Sequence, residues 1–451
     1  MTARRGAGLA GLALAGAGAA AAAAGAGLPA LGAAGAGLAL SQLLLLDLSP
    51  VRVPVVMLHS IAGHRPDRPP AFSIWCPPPM FEGYLRFLRR RGYRTVTLAD
   101  LHEHLARGRA LPPRPIVLTF DDGYLDNWVH AAPLLRRHGF TATVFVASDF
   151  VQPGESVRPT LEDVWAGRLR EHELEVFGYM NRAELRALAC EGTFDVQSHG
   201  RTHTWLPVAD EVIDFHNPRL PMRHLRWMWW NRHPERKPYW FHEIDPEGVP
   251  WGAPVHRNAL ALSRPAVEPD PGLERLCVTH VAENGGRAFF ERPDWRAELS
   301  ALAAEHQRRH GQRPPEPRAA FLARLRGELE GSRAALEEIT GQPVRFMCWP
   351  NGGTCEEAFD LLAECGYLAA TLPSRARQPI NRRGTNPARF GRISATSFFR
   401  GSPRVFPWVF SFAVKVERNR GNMYMELPIK AVWLYRRFVR PSGEVPAGAE
   451  P

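Results

Sequence analysis

The sequence predicts an α/β domain built around a mainly parallel sheet and interrupted by a large insertion. Three observations carry this expectation. Apolar, β-branched runs alternate with helically spaced segments over residues 50–200, the pattern of strands joined by crossover helices. The rhythm breaks over residues 207–331, where Pro is frequent and Trp227, Trp229, Trp230, Trp240 and Trp251 crowd together. It resumes at VRFMCWPNGG (344–353). Neither flank looks complete without the other, so one domain carrying an insertion accounts for the pattern better than two.

Arg4 and Arg5 precede an uncharged stretch from Gly6 to Leu46, in which 26 of the 32 residues 6–37 are Ala or Gly. A positive flank followed by a long apolar run resembles a signal peptide or a membrane anchor, so export to the cell envelope is expected of residues 1–46. Ala and Gly are weakly hydrophobic and Pro29 interrupts the run, which argues against a stable span. The alternative is a low-complexity extension of a cytoplasmic protein.

After Pro50, VRVPVVMLHSI (51–61) is a buried strand ending near His59. Beyond a Pro-rich loop, Phe81, Leu85 and Leu88 have helical spacing; Gly92 turns the chain into a strand, RTVTL (94–98), and another helix follows. PIVLTFDD (115–122) is the next strand. A helix around Trp128–His138 leads through Gly139 into the strand TATVFVAS (141–148), and FDVQS (194–198) is a further short strand. An amphipathic helix, roughly Ala319–Ile339, closes the insertion. VRFMCWPNGG, a helix over Glu356–Cys365 and GYLAATL (366–372) restore the α/β pattern.

The composition excludes a disordered or collagen-like chain: 451 residues with 45% hydrophobic content can bury a full core. Six cysteines lack CxxC spacing, which indicates neither a zinc finger nor a dense disulfide framework. Cys348 and Cys355 flank the WPNGG loop and invite a metal or disulfide pairing. The net charge of +10 is uneven, because residues 371–440 hold 15 Lys and Arg against Glu417 and Glu426, a local net of +13. This bias suits an anionic partner such as a phospholipid surface or a charged glycan, and no recognition motif supports nucleic acid. A merely solvated basic surface is the plain alternative.

Asp121 and Asp122 end an apolar run side by side, which costs desolvation and mutual repulsion unless something offsets it. His199 and His203 are candidates to bring a cation there. Spacing of i, i+4 puts two imidazoles on one side of a helical turn, where both can reach one ion. With one carboxylate they make a His2Asp site with room for water, and the second carboxylate stays free as a base. Each piece alone is commonly a surface accident or a turn; their conjunction is not.

TFDDGY (119–124) and SHGRTH (198–203) resemble the first two motifs of the polysaccharide deacetylases of the NodB homology type, carbohydrate esterase family 4. FMCWPNGG (346–353) resembles the third motif as it occurs in the poly-N-acetylglucosamine deacetylase branch. The resemblance implies an irregular (β/α) barrel, of seven rather than eight strands, with its first part over residues 50–206 and its second over 332–397. The insertion (207–331) and a basic tail (398–451) lie outside it. It further implies Asp121 as general base, and Asp122, His199 and His203 as ligands of a divalent metal, Zn2+ or alternatively Co2+ or Ni2+. Pro350 and the backbone N–H of Asn351 would line the oxyanion side, although Asn351 stands where an aromatic residue is usual.

The chain has no histidine after His310, yet the commoner arrangement takes its general acid from a late motif. The branch resembled supplies this histidine from an N-terminal strand, which selects His59. Asp195 and Arg392 are candidates to orient ligands or to partner charges, with ordinary salt bridges as the alternative. One or two Trp side chains of the insertion are expected to face a sugar, the others to pack. AVWLYRRFVR (431–440) has an alternation suited to a membrane surface. The implied activity is removal of an N-acetyl, or related N- or O-acyl, group from a sugar of a polysaccharide or lipid-linked glycan. A glycan-binding protein that kept the metal site without turnover is the rival. An aspartate-nucleophile phosphatase is disfavoured, because the pair is DDGY and not DxDxT.

Overall fold

Parallel strands buried on both faces read as unbroken apolar runs, and here such runs set the sheet. The computed structural model describes residues 51–63, 75–242, 245, 248–372, 380–398, 404–425 and 427–430; the expected leader (1–46) and the 431–440 segment lie outside the described residues. The first half comprises β1 (Val55–Leu58), α1 (Pro78–Arg90), β2 (Arg94–Thr95), α2 (Leu98–Arg107), β3 (Pro115–Phe120), α3 (Ala132–His138), β4 (Ala142–Val146), α4 (Leu161–Trp165), α5 (Arg182–Glu191) and β5 (Phe194–Ser198). Thr97 with Asp100 and Asn181 with Glu184 form capping boxes that start α2 and α5. A π-helical turn, Asn127–Ala131, precedes α3 where one continuous helix is expected.

The insertion supplies β6 (Trp205–Phe215), α6 (Met222–Arg232), β7 (Pro254–Leu260), α7 (Pro271–Glu283) and α8 (Trp295–His310). β6 and β7 form a separate antiparallel pair. α9 (Arg318–Thr340) follows and gives Leu325, Leu329 and Leu336 to the barrel core, so the boundary expected at 331 falls inside a barrel helix. Then come β8 (Phe346–Met347), α10 (Glu356–Glu364), β9 (Ala369–Thr371), β10 (Arg389–Phe390), β11 (Ile393–Ser394) and α11 (Val405–Arg420).

The main sheet has nine strands in the order β10-β9-β8-β5-β4-β3-β1-β11, with β2 beside β3. Its pairings are parallel. Phe390 pairs with β9 and Ile393 with β1, so Gly391 and Arg392 alone separate the two edges. The sheet therefore curls shut. With β10 and β11 counted as one broken strand, and β2 pairing only the start of β3, seven positions run round the barrel. Buried Asn381 pins the break: its side chain donates to Gly391 O (2.8 Å) and Val53 O (3.2 Å) and accepts from Gly391 N (2.9 Å).

α11 lies in the stretch expected as a basic tail, but Trp408, Phe412 and Val416 are spaced for one helix face and join the barrel core. Phe412 stacks on Tyr84 of α1 at 4.2 Å. The helices approach closely at Gly83, where a Cβ would meet Val409 Cγ2 at 2.7 Å. No helix among the described residues is long and apolar enough to cross a membrane.

Candidate active site

The polar residues of interest follow directly on strand ends at one rim, the mouth that parallel barrels use for chemistry. Leu58 pairs with Phe120, and Asp121 N extends that ladder to Leu58 O (3.0 Å). His59 and Asp121 thus leave neighbouring strands at the same level. Asp122 then takes a left-handed backbone (φ 76°), followed by Gly123 (φ 76°). Such a conformation costs a non-glycine residue about 1–3 kcal/mol. The turn sets the second carboxylate beside the first.

His199 follows β5, its backbone N–H donating to Val146 O (2.9 Å). Its Nδ1 donates to Cys348 O (2.8 Å), which orients the ring so that Nε2 faces Asp122 Oδ1 at 3.1 Å. His203 Nε2 reaches the same oxygen at 3.2 Å. The expected helical turn is absent: Gly200 (φ 75°) and His203 (φ 44°) make the segment a loop. Burial alone would push the Asp122 carboxyl up, but hydrogen bonds from both imidazoles hold it well below its ordinary range.

Asp121 Oδ1 accepts from Arg392 Nη1 at 2.7 Å. The guanidinium also reaches Thr119 Oγ1 (3.3 Å) and Cys348 Sγ (3.0 Å). Asp121 Oδ2 lies 3.6 Å from His59 Nε2 and 3.6 Å from the Cys348 sulfur. Burial opposes ionisation of Asp121; the charge and hydrogen bond of the Arg392 guanidinium lead the interactions that outweigh it and hold the carboxyl below its usual range. Burial lowers the His59 pKa despite the two aspartates, so its imidazole rests neutral.

Among the described residues two sets of ligand atoms lie within 4.8 Å of one another: Asp122, His199 and His203, and Asp121, His199 and Cys348. The first fits a divalent ion, since two imidazole nitrogens and a carboxylate oxygen converge. In the second, the Arg392 cation already occupies both Asp121 and the sulfur.

Other expected residues divide. Arg392 lies in the site. Asp195 does not, because it sits near the start of β5 and accepts from Gln197 Nε2 (2.7 Å). Pro350 is buried, with its Cγ 3.4 Å from where a Gly200 Cβ would stand, whereas Asn351 is exposed with φ 49°. Trp227, Trp229, Trp230 and Trp240 are buried with Phe150 and Tyr179 in an aromatic cluster, and Trp251 stacks on His216. Trp205 is half-buried with its ring 6.4 Å from that of His203. Cys348 and Cys355 are free thiols.

Sequence reasoning passed over Asp126 and Asn127, although they stand in the same YLDN run. Asp126 accepts from the Ser60 hydroxyl and from Ile61 N (2.9 Å), and Asn127 Nδ2 donates to His59 O (2.8 Å). Together they fix the chain from the His59 carbonyl to Ile61.

Residues 108–219 match the family model described as polysaccharide deacetylase, a stretch that takes in Asp121, Asp122, His199 and His203. That stretch is similar to a polysaccharide deacetylase domain. The chain is 32% identical over 97 residues to YxkH of Bacillus subtilis, which is named as a polysaccharide deacetylase, covering 22% of this chain and 32% of that protein. The poly-β-1,6-N-acetyl-D-glucosamine N-deacetylase of Escherichia coli is 40% identical over 56 residues, 12% of this chain and 8% of that one. The chain thus matches a third or less of these relatives' lengths. Among solved structures, the BpsB deacetylase domain of Bordetella bronchiseptica superposes with TM-score 0.44 at 19% identity, covering 76% of this chain and 96% of that one. IcaB of Ammonifex degensii gives 0.42 at 18%, covering 80% and 97%.

Beside the candidate active site, burial pushes the Asp126 carboxyl up from 3.8 to about 7, against the hydrogen bonds from Ser60, Ile61 and Asn127 that favour its ionised form. The unfolded chain ionises near 3.8 and the folded one retains its proton until about 7. This site therefore lowers stability as pH rises between those values, by at most a few kcal/mol, and is level above them. Thermal melting of wild type and Asp126→Asn from pH 5 to 8 should show the variant lacking that decline. Parallel curves would place the titration elsewhere.

Proposed function

We propose that the protein is a metal-dependent deacetylase that hydrolyses the N-acetyl, or a related N- or O-acyl, group of a sugar in a polysaccharide or lipid-linked glycan. One observation carries this: an ionised carboxylate, Asp121, lies between Arg392 and His59 and directly beside a second carboxylate that faces two imidazoles. Asp122, His199 and His203 would hold the ion, with Zn2+, Co2+ or Ni2+ all compatible with such donors. When bound, the ion would supply Lewis acidity to the acyl carbonyl and to a water.

The remaining roles belong to the chain. Asp121 accepts the water's proton, and Arg392 keeps that carboxylate charged until it does. His59, neutral at rest, first takes up the proton that Asp121 received from the water, its Nε2 lying 3.6 Å from Asp121 Oδ2, and then passes it to the leaving nitrogen, which cannot depart as an amide anion. Pro350 and the backbone of Asn351 border the carbonyl side. The half-buried face of Trp205, beside His203, offers the sugar an apolar wall. The basic 371–440 stretch suits an anionic envelope surface, consistent with an exported or membrane-anchored enzyme.

Acetate release from acetylated chito-oligomers and cell-envelope glycans, measured on protein of known metal content, tests this. Release that stops on chelation and returns with Zn2+, Co2+ or Ni2+ is expected. Full metal occupancy with no release from any acylated glycan would favour a binding protein instead.

A further inference from the structure

A metal ligand carried on a loop keeps its place only if that loop's backbone is bonded. The loop between His199 and His203 is bonded throughout, and from outside itself. Gly200 O accepts from Ser148 N (3.2 Å) and Arg201 O from Asp149 N (3.1 Å). Glu328, buried on the inner face of α9, accepts from Arg201 N and Thr202 N, both at 3.0 Å, and from the Thr202 hydroxyl. From the other side Lys237, 2% exposed in the turn Pro234–Tyr239 of the insertion, donates to Thr202 O at 2.9 Å.

Burying a carboxylate and an ammonium is expensive, and simple packing would be served better by apolar side chains. The charges instead meet backbone groups of Arg201 and Thr202, with both charges on Thr202, next to a histidine strained at φ 44°. Lys237 Nζ also lies 3.5 Å from Asp149 Oδ2 and over the ring of Phe150, whose edge packs on His203. The insertion is thereby coupled to a ligand that the barrel supplies.

We propose that Glu328 and Lys237 are positioning residues that clamp the 200–203 loop, and that through Lys237 the insertion is required for tight metal binding. This rests on the metal-site assignment made above for Asp122, His199 and His203.

The test uses the full chain, with Zn2+ affinity from competition against a chromophoric chelator, the visible spectrum of the Co2+-loaded protein, and melting of the metal-free form. Lys237→Met and Glu328→Leu should each bind Zn2+ about 10- to 100-fold more weakly and alter the Co2+ spectrum. Glu328→Gln keeps one acceptor oxygen and should recover part of the affinity. Gly252→Ala controls for stability alone: at φ 86° its Cβ would stand 2.6 Å from Val281 Cγ2, inside the insertion and away from the clamp. It should lower melting and leave Zn2+ affinity and the Co2+ spectrum as in wild type. Unchanged affinity in Lys237→Met and Glu328→Leu would overturn the clamp alone, as would an equal loss in Gly252→Ala. A wild-type chain that binds no divalent ion would overturn the metal site itself.

Discussion

Asp121→Asn is expected to lower acetate release about 1,000-fold, within the range that a positioned general base contributes, while bound metal stays at the wild-type level. The substitution keeps the shape and an oxygen that can accept from Arg392 Nη1, the 2.7 Å contact of the native carboxylate. What it removes is the ability to take a proton. Asp122, His199 and His203 are untouched, so metal content separates a lost base from a lost site. Asn leaves the Arg392 charge buried without its counter-ion, which itself destabilises, so activity must be compared on protein shown by circular dichroism to be folded. Because Asp121 is held below the ordinary carboxylate range, the acid limb of the wild-type pH profile should also fall below that range. Wild-type turnover in Asp121→Asn would remove this residue from the mechanism.

The legibility of fold and site follows the length and locality of each signal. β1, β3 and β4 have four to six residues each and are recognisable as apolar runs, while β5, FDVQS, alternates apolar and polar residues. The strands that close the barrel, β10 and β11, have two residues each, too few to show a period, and the break between them is fixed by Asn381, which ties Gly391 to the distant Val53. His59 follows from the lack of a histidine after His310 and from the resemblance; the register of β1 with β3, which the sequence does not display, carries it to the level of Asp121. Asp195 was a mistake that strand geometry alone could have caught. Four residues of extended chain span about 13 Å, which puts it far from His199.

The histidine spacing indicated a shared ion but the wrong local structure, since i, i+4 in a loop depends on who holds the loop. Glu328 had a readable signal: it stands on the α9 face marked by Phe321, Leu325 and Leu329, where a carboxylate is out of place. Lys237 had none, because its partner Thr202 is a backbone carbonyl 35 positions away. The tryptophan cluster shows the same limit, as burial against Phe150, Tyr179 and Phe241 is a tertiary fact.

His59→Gln should separate two substrates that differ only in what leaves. Deacetylation of an N-acetyl amino sugar should fall about 100- to 10,000-fold, the contribution of general acid catalysis when an amine must be protonated to depart. Hydrolysis of an aryl acetate with a nitrophenolate leaving group should stay within about threefold of wild type, because that group departs unprotonated and the loss is confined to the step His59 serves. The geometry makes this contrast sharp. His59 Nε2 lies 3.6 Å from Asp121 Oδ2, so the atoms that handle the water's proton and the amine's proton are neighbours. Burial keeps the imidazole neutral at rest, and its removal therefore deletes no standing charge on which the Asp122, His199 and His203 arrangement depends. Equal loss on both substrates would mean that His59 acts in the attack on the carbonyl. Loss on neither would make it a buried histidine that merely packs against the base.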